Sequence, residues 1–274
     1  ASAFSLQYKI RDPLNWKSTS IINIGMSDPN QNGDGNIPGN NPNLVEGAMG
    51  LYSQVTNDYY IDGAGKKYGL GALANYGTIN IGEYALNVAG VRSEGGTADS
   101  LAAVTNQSGN IKITGKGNYG VVVNSEFATG SNGTDLHYGV AGQPRKQGLI
   151  DIKAGKSVGI LVLKGGKGAN TGIINIGNSS SQTQPGVGIY ADHVGSSITN
   201  SASVNVGDNG VGIYNLNGNV INSGAITAGN GGTGIYSEGG TITLNTGSSI
   251  TVGQNDAIGV YAVNQTGTVT NNSA

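Results

Sequence analysis

Carboxylates at a fixed place on successive turns of a repeat could hydrolyse a glycosidic bond, one as acid and one as base or nucleophile. Acids in the repetitive part of this 274-residue chain include Asp151, Asp192, Asp208 and Asp256. Each sits at a different point of the repeating phrase, so they do not converge. Asp192-His193 is an isolated pair that a solvated turn explains better than a catalytic dyad. Nucleophile triads, zinc-ligand spacing, a phosphate-cradling loop and a dinucleotide fingerprint in strand-to-helix context are all missing. With no cysteine, thiol chemistry and disulfides are excluded. The reading is non-catalytic, with no cofactor.

Two kinds of binding chemistry remain. Asp28, Asn30, Asn32, Gly33 and Asp34 reproduce the oxygen spacing that opens a calcium loop, but Gly39 stands where the closing acid belongs. Calcium is the one ion this loop suggests, and an Asn/Gly/Pro turn cluster explains the same residues. The second kind is aromatic-plus-basic. Tyr59, Tyr60, Lys66, Lys67 and Tyr68 lie in one excursion from the repeat. Phe127, His137, Tyr138, Arg145 and Lys146 lie in a larger one, read as running from Asn124 to Gln147. Such residues dominate binding hot spots. Thr241-Ile242-Thr243 resembles an ice-binding unit, but the motif does not recur at the coil spacing, so a threonine array is not expected.

What must position these groups is a repeat. Gly186-Val187-Gly188-Ile189-Tyr190 returns as Gly210-Val211-Gly212-Ile213-Tyr214, as Gly232-Thr233-Gly234-Ile235-Tyr236, and loosely as Ala257-Ile258-Gly259-Val260-Tyr261. A fixed period of about 22–25 residues marks a solenoid. Within it β-branched residues alternate with small or polar ones, as in Val204-Asn205-Val206 and Ile250-Thr251-Val252, which is the period of a half-buried strand. The expected fold is all-β, a right-handed parallel β-helix with three strands per coil. Val187 and Ile189 are expected inside, with Gly188 and Tyr190 outside. Tyr190, Tyr214, Tyr236 and Tyr261 should then form one external ladder, and Asn200, Asn222, Asn245 and Asn271 another at a turn. The copy beginning at Asn245 is one residue longer, which suggests a bulge.

Residues 1–20 do not fit the phrase and read as an N-terminal cap. Residues 21–156 read as β-helix with long excursions, the candidate binding region. Residues 157–274 read as a regular stalk ending in mid-coil, hence a segment of a longer protein. Glycine makes up 49 of the residues and charged residues only 11%, a composition that only a periodic core rescues from disorder. A net charge of −2 offers no footprint for nucleic acid or an anionic membrane, and no apolar run is long enough to insert. Nothing in the pattern calls for more than a monomer.

The alternation GVGIY…NSGAITAGNGGTGIYSEGGTITLNTGSSITVG resembles the passenger repeats of the large fusobacterial and leptotrichial type V autotransporter adhesins. It does so closely over about residues 157–274 and loosely over 47–156. The resemblance implies a passenger exported to the bacterial cell surface on an outer-membrane barrel. It implies a host-cell protein, a glycan or another bacterium as partner, and it fits the lack of cysteine. It carries no binding motif onto numbered residues. A carbohydrate-active β-helix (tail-spike or polysaccharide-lyase type) and a pure spacer are the competing readings.

Overall fold

The computed structural model describes residues 17–18, 21–26, 45–55, 59–61, 67–69, 71–98, 101–133, 147–153 and 155–272. These form a parallel β-helix: three long sheets in which each strand pairs, in parallel, with the equivalent strand one coil away. The chain visits the sheets in strict rotation.

The Tyr face holds Met49–Val55, Ala89–Gly95, Tyr119–Asn124, Val158–Leu163, Val187–Asp192, Val211–Leu216, Thr233–Glu238 and Ile258–Val263. These strands number coils 1 to 8 below. The Asn face follows in each coil, for instance Ala128–Gly133 in coil 3 and Ser197–Asn200 in coil 5. Next comes the Ile face, for instance Asn110–Ile113, Leu149–Ile152 and Ile173–Ile176. Lys17–Ser18 already pair with Ala74 and Asn75 on the Asn face, so ladder pairing reaches into the segment read as a cap. Residues 1–16 lie outside the described residues.

Alternation sets what goes inside. On the Ile face Ile79, Ile111, Ile150 and Ile174 stack at the same inward place and are completely buried. They join Val121, Val123, Ile160, Ile189, Ile198, Ile213, Ile235 and Ile242 in one continuous core. No single coil could bury this surface alone; stacking at about 4.8 Å per coil does it.

The strands of the Tyr face depart from the expected orientation. Gly188 points inward: a Cβ there would strike Val204 Cγ1 and lie 2.5 Å from the Gly212 carbonyl oxygen. Gly120, Gly159, Gly212 and Gly234 repeat the arrangement, each 2.5 Å from the carbonyl oxygen of the glycine in the next coil. The glycine row is therefore the space into which the Ile-face side chains of the core protrude. Val187 and Val211, expected inside, are buried but absent from the central core. They stack in a row with Val158 and Tyr119, two residues of a separate apolar cluster.

The interior asparagines form a ladder longer than the sequence suggested. Asn75, Asn106, Asn132, Asn170, Asn200 and Asn222 are each fully buried, and each donates its side-chain amide to the next, at 2.8, 2.9, 3.0, 2.9 and 2.8 Å. Asn245 is not in it. Leu244 takes the place in register with Asn222, and Asn245 donates instead to Ser223 Oγ at 2.9 Å. Asn271 pairs with Leu244. The longer copy thus comes with an apolar substitution that ends the amide chain.

Candidate binding surface

The corner where the Tyr face turns into the Asn face changes character along the column. In coils 6 to 8 it is made of small polar residues: Asn217 at φ 60°, Gly239 and Gly240 at φ 70° and 71°, and Asn264 at φ 50°. These are residue types that reach the left-handed region cheaply. In coils 2 to 5 the same corner carries larger side chains, and in coil 1 it is interrupted by a hairpin.

In coil 1 the chain leaves the corner as an antiparallel hairpin, Tyr59–Ile61 against Lys67–Gly69, with Tyr60 opposite Tyr68. Coil 2 places Leu101 there, 49% exposed. In coil 3 Phe127 is half-buried in a tight turn: its N–H bonds to Ser125 Oγ at 3.2 Å, and Ala128 N–H to the Ser125 carbonyl at 3.0 Å. Coil 4 presents Lys164, held at φ 53°. Coil 5 has Val194, 72% exposed, next to His193 at φ 107°. Ser196 braces that turn, donating its hydroxyl to the Asp192 carbonyl at 2.9 Å and its N–H to the His193 carbonyl at 3.1 Å. The His193 ring packs Nδ1 2.6 Å from the Val194 carbonyl oxygen. The result is a ridge of aromatic, aliphatic and basic groups on consecutive coils.

Beside the ridge, the outer side of the Tyr face carries two further features. Arg92 donates from Nε and Nη2 to Glu94 Oε2 at 3.1 and 2.9 Å. Tyr52 donates to the same oxygen at 3.4 Å and Asn124 to Oε1 at 3.1 Å. Burial, reinforced by the Glu94 charge, raises the Tyr52 phenol above its ordinary value. Next to this network Ala89, Val122 and Leu161 form an apolar cluster with Met49, Tyr119, Val158, Leu163 and Tyr190.

One row of the Tyr face runs Tyr52, Arg92, Val122, Leu161, Tyr190, Tyr214, Tyr236, Tyr261. The four tyrosines do line up, with ring centroids 5.2, 4.6 and 5.3 Å apart, the last two pairs stacked. Rings stacked on one another cover the faces a sugar would need, so the Tyr214–Tyr236–Tyr261 stack reads as structural. Burial, then the charge of Asp192, pushes the Tyr190 phenol up to about 12.

The two excursions named from sequence leave by different corners. Ala128–Gly133 is an ordinary Asn-face strand, so neither it nor Phe127 belongs to the larger excursion read from sequence; residues 134–146 lie outside the described residues. His137, Tyr138, Arg145 and Lys146 lie outside the described residues, as do Lys66 and the calcium candidates Asp28, Asn30, Asn32 and Asp34. Among the described residues no group of three or more His, Cys, Asp or Glu could hold a metal. The four acids are dispersed. Asp151 lies in the outer row of the Ile face, with Lys153 Nζ 3.0 Å away. Asp192 is at the edge of the Tyr face. Asp208 accepts the Asn230 N–H at 2.8 Å, and Asp256 occupies a left-handed turn at φ 60°.

Sequence reasoning missed Leu101, Val194 and the Arg92–Glu94 network. Aligning Val91-Arg92-Ser93 with Ile189-Tyr190-Ala191 puts Arg92 in the tyrosine row, a signal the repeat did contain. Comparison with protein families, characterised proteins and solved structures returns no match.

Proposed function

We propose that this chain is a non-catalytic segment of a bacterial surface adhesin, an exported autotransporter passenger that attaches to a host-cell protein or glycan or to another bacterium. The observation that carries the proposal is the contrast along a single corner. Coils 6 to 8 turn with Asn and Gly, while coil 1 leaves the corner as a hairpin and coils 2 to 5 carry exposed Leu101, half-buried Phe127, exposed Lys164 and exposed Val194 in succession. A spacer has no use for exposed apolar side chains in turns that glycine and asparagine can make. Among the described residues Asp151, Asp192, Asp208 and Asp256 occupy different rows, and Glu238 shares the row of Asp192 only two coils away with Leu216 between them. This gives little support to the carbohydrate-cleaving reading with its two facing carboxylates.

The test is adhesion of beads coated with the 274-residue chain to epithelial cells and to partner bacteria. Beads carrying Leu101→Ser, Phe127→Ala and Val194→Ser together should lose most of the signal, with an unchanged circular-dichroism spectrum. Undiminished adhesion by the triple variant would move recognition off this ridge. Release of reducing ends from any polysaccharide would replace the adhesin by an enzyme.

A further inference from the structure

All 14 lysines and arginines occur at or before Lys167, and the chain beyond it carries four carboxylates and no cation. The near-neutral total therefore hides a charged molecule with two unlike halves. Within the basic half, four lysines gather where the Ile face meets the corner leading to the Tyr face. Lys112 stands in the outer row of the Ile face beside Asp151 of the next coil. Lys153 reaches back to Asp151 Oδ2 at 3.0 Å, which places it on the same outer side. Lys116 and Lys156 occupy the turns that follow, in coils one step apart. All four are exposed. Among the described residues the nearby acids are Asp151, paired with Lys153, Glu83 one coil earlier at that corner, and Glu46 one coil before that, bonded to Asn87. In coils 4 and 5 the row continues with neutral Asn175 and Asn205.

Lys156 supplies an independent reason to regard the patch as a site. Its φ is 63°, and the preceding coil uses Gly117, at φ 72°, at the equivalent place. The fold needs a left-handed residue there and glycine is the relaxed choice. Asn87, Asn209 and Asp256 are left-handed at the same place in other coils, residue types that reach this region at lower cost than lysine; Lys156 accepts the strain and brings a charge to the corner.

We infer that Lys112, Lys116, Lys153 and Lys156 form a binding site for an anionic polysaccharide, one bearing sulfate or carboxylate groups. The patch runs from the Ile face onto the corner, spans only two coils and presents point charges, which suits a linear polymer crossing the column. Duplex nucleic acid carries a charge about every 1.7 Å of its axis and would overrun the patch onto the neutral asparagine row. A second copy of the chain is a poorer occupant: Asp192 and Glu238 share one row of the Tyr face but stand two coils apart with Leu216 between them, and Asp208 and Asp256 lie in turns outside that row, so the four acids do not match the spacing of the patch. The site is separate from the corner ridge and does not depend on it.

The experiment uses immobilised heparin as the anionic polysaccharide and the whole chain in solution. Binding should be clear at low salt and weaken steeply towards about 0.15 M. Lys112→Gln, Lys116→Gln and Lys156→Gln should each reduce affinity roughly fivefold, the worth of one cation at an anionic surface. Lys156→Gly gives the sharper result: it relieves the left-handed backbone, so the melting temperature should hold or rise while heparin affinity falls. The ridge variant Leu101→Ser/Phe127→Ala/Val194→Ser should bind heparin normally. Three results overturn the inference: no retention at low salt, retention unchanged in the triple glutamine variant, or equally tight binding to a DNA duplex of the same charge.

Discussion

Asn132 donates its side-chain amide to Asn170 Oδ1 at 3.0 Å, across one full turn of the column and 38 residues of chain. Neither side chain touches water. Asn170 in turn donates to Asn200 Oδ1 at 2.9 Å and to the Ser203 carbonyl at 3.2 Å. Its replacement by alanine leaves a buried donor on one side and a buried acceptor on the other, each costing about 1–3 kcal/mol. Asn170→Ala should lower stability by about 3 kcal/mol, read from urea unfolding. In the Asn132→Ala/Asn170→Ala double variant the losses should be clearly less than additive, since both break the same bond.

The inward glycine row makes a comparison between two similar substitutions. Gly212→Ala drives a methyl group towards Ile226 and the Gly234 carbonyl oxygen at 2.5 Å, an overpacking worth about 1–3 kcal/mol. Gly259→Ala, at the same place of the phrase in coil 8, meets nothing within 4 Å. A thermal melt should separate them: Gly212→Ala falls by several degrees and Gly259→Ala stays near the parent.

The tyrosine row predicts an alkaline limit. An unfolded phenol ionises near 10, whereas Tyr190 in the column is pushed up to about 12. Between those values the unfolded chain has released a proton that the folded chain keeps, so stability falls as pH rises from about 10 to 12. Absorbance titration near the phenolate band should show a late-titrating tyrosine that vanishes in Tyr190→Phe, and the same variant should flatten the loss of melting temperature over that window.

His193 holds a backbone angle of φ 107° that side chains rarely adopt. Substituting glycine should therefore stabilise the chain, by about 0.5–1 kcal/mol against the usual penalty for added backbone freedom. A denaturant midpoint that drops in His193→Gly would mean that the ring beside Val194 holds the turn together more than the angle strains it.

Much of this fold is legible in the chain because its period is. Tyrosines recurring every coil can only stack, and Ile-x-Ile phrases can only point alternately in and out. Orientation on the Tyr face was harder. Gly188 has no side chain to betray its direction, and the apolar Val187 reads as core although its row lies in the outer apolar strip. Asn245 looked like the next asparagine of the ladder because identity suggested it, whereas register, decided by hydrogen bonding, put Leu244 there. The ridge was only half visible: Phe127 and the Tyr59–Tyr68 hairpin stood out by composition, but Leu101 and Val194 are ordinary aliphatics whose exposure only coordinates reveal.

The buried amide chain has one more consequence. Because every donor from Asn75 to Asn200 points the same way and lands one coil further on, the interior cannot tolerate a fraction of a turn being gained or lost. Excising Ser201 to Asn222 as a block would reunite Asn200 with the segment that followed Asn222, at the cost of one rung and no mismatched partner. Removing half as many residues would misplace every contact downstream. Along the strands the natural unit of change is the whole coil, whereas the corners absorb the rest: successive ladder asparagines lie anywhere from 22 to 38 residues apart.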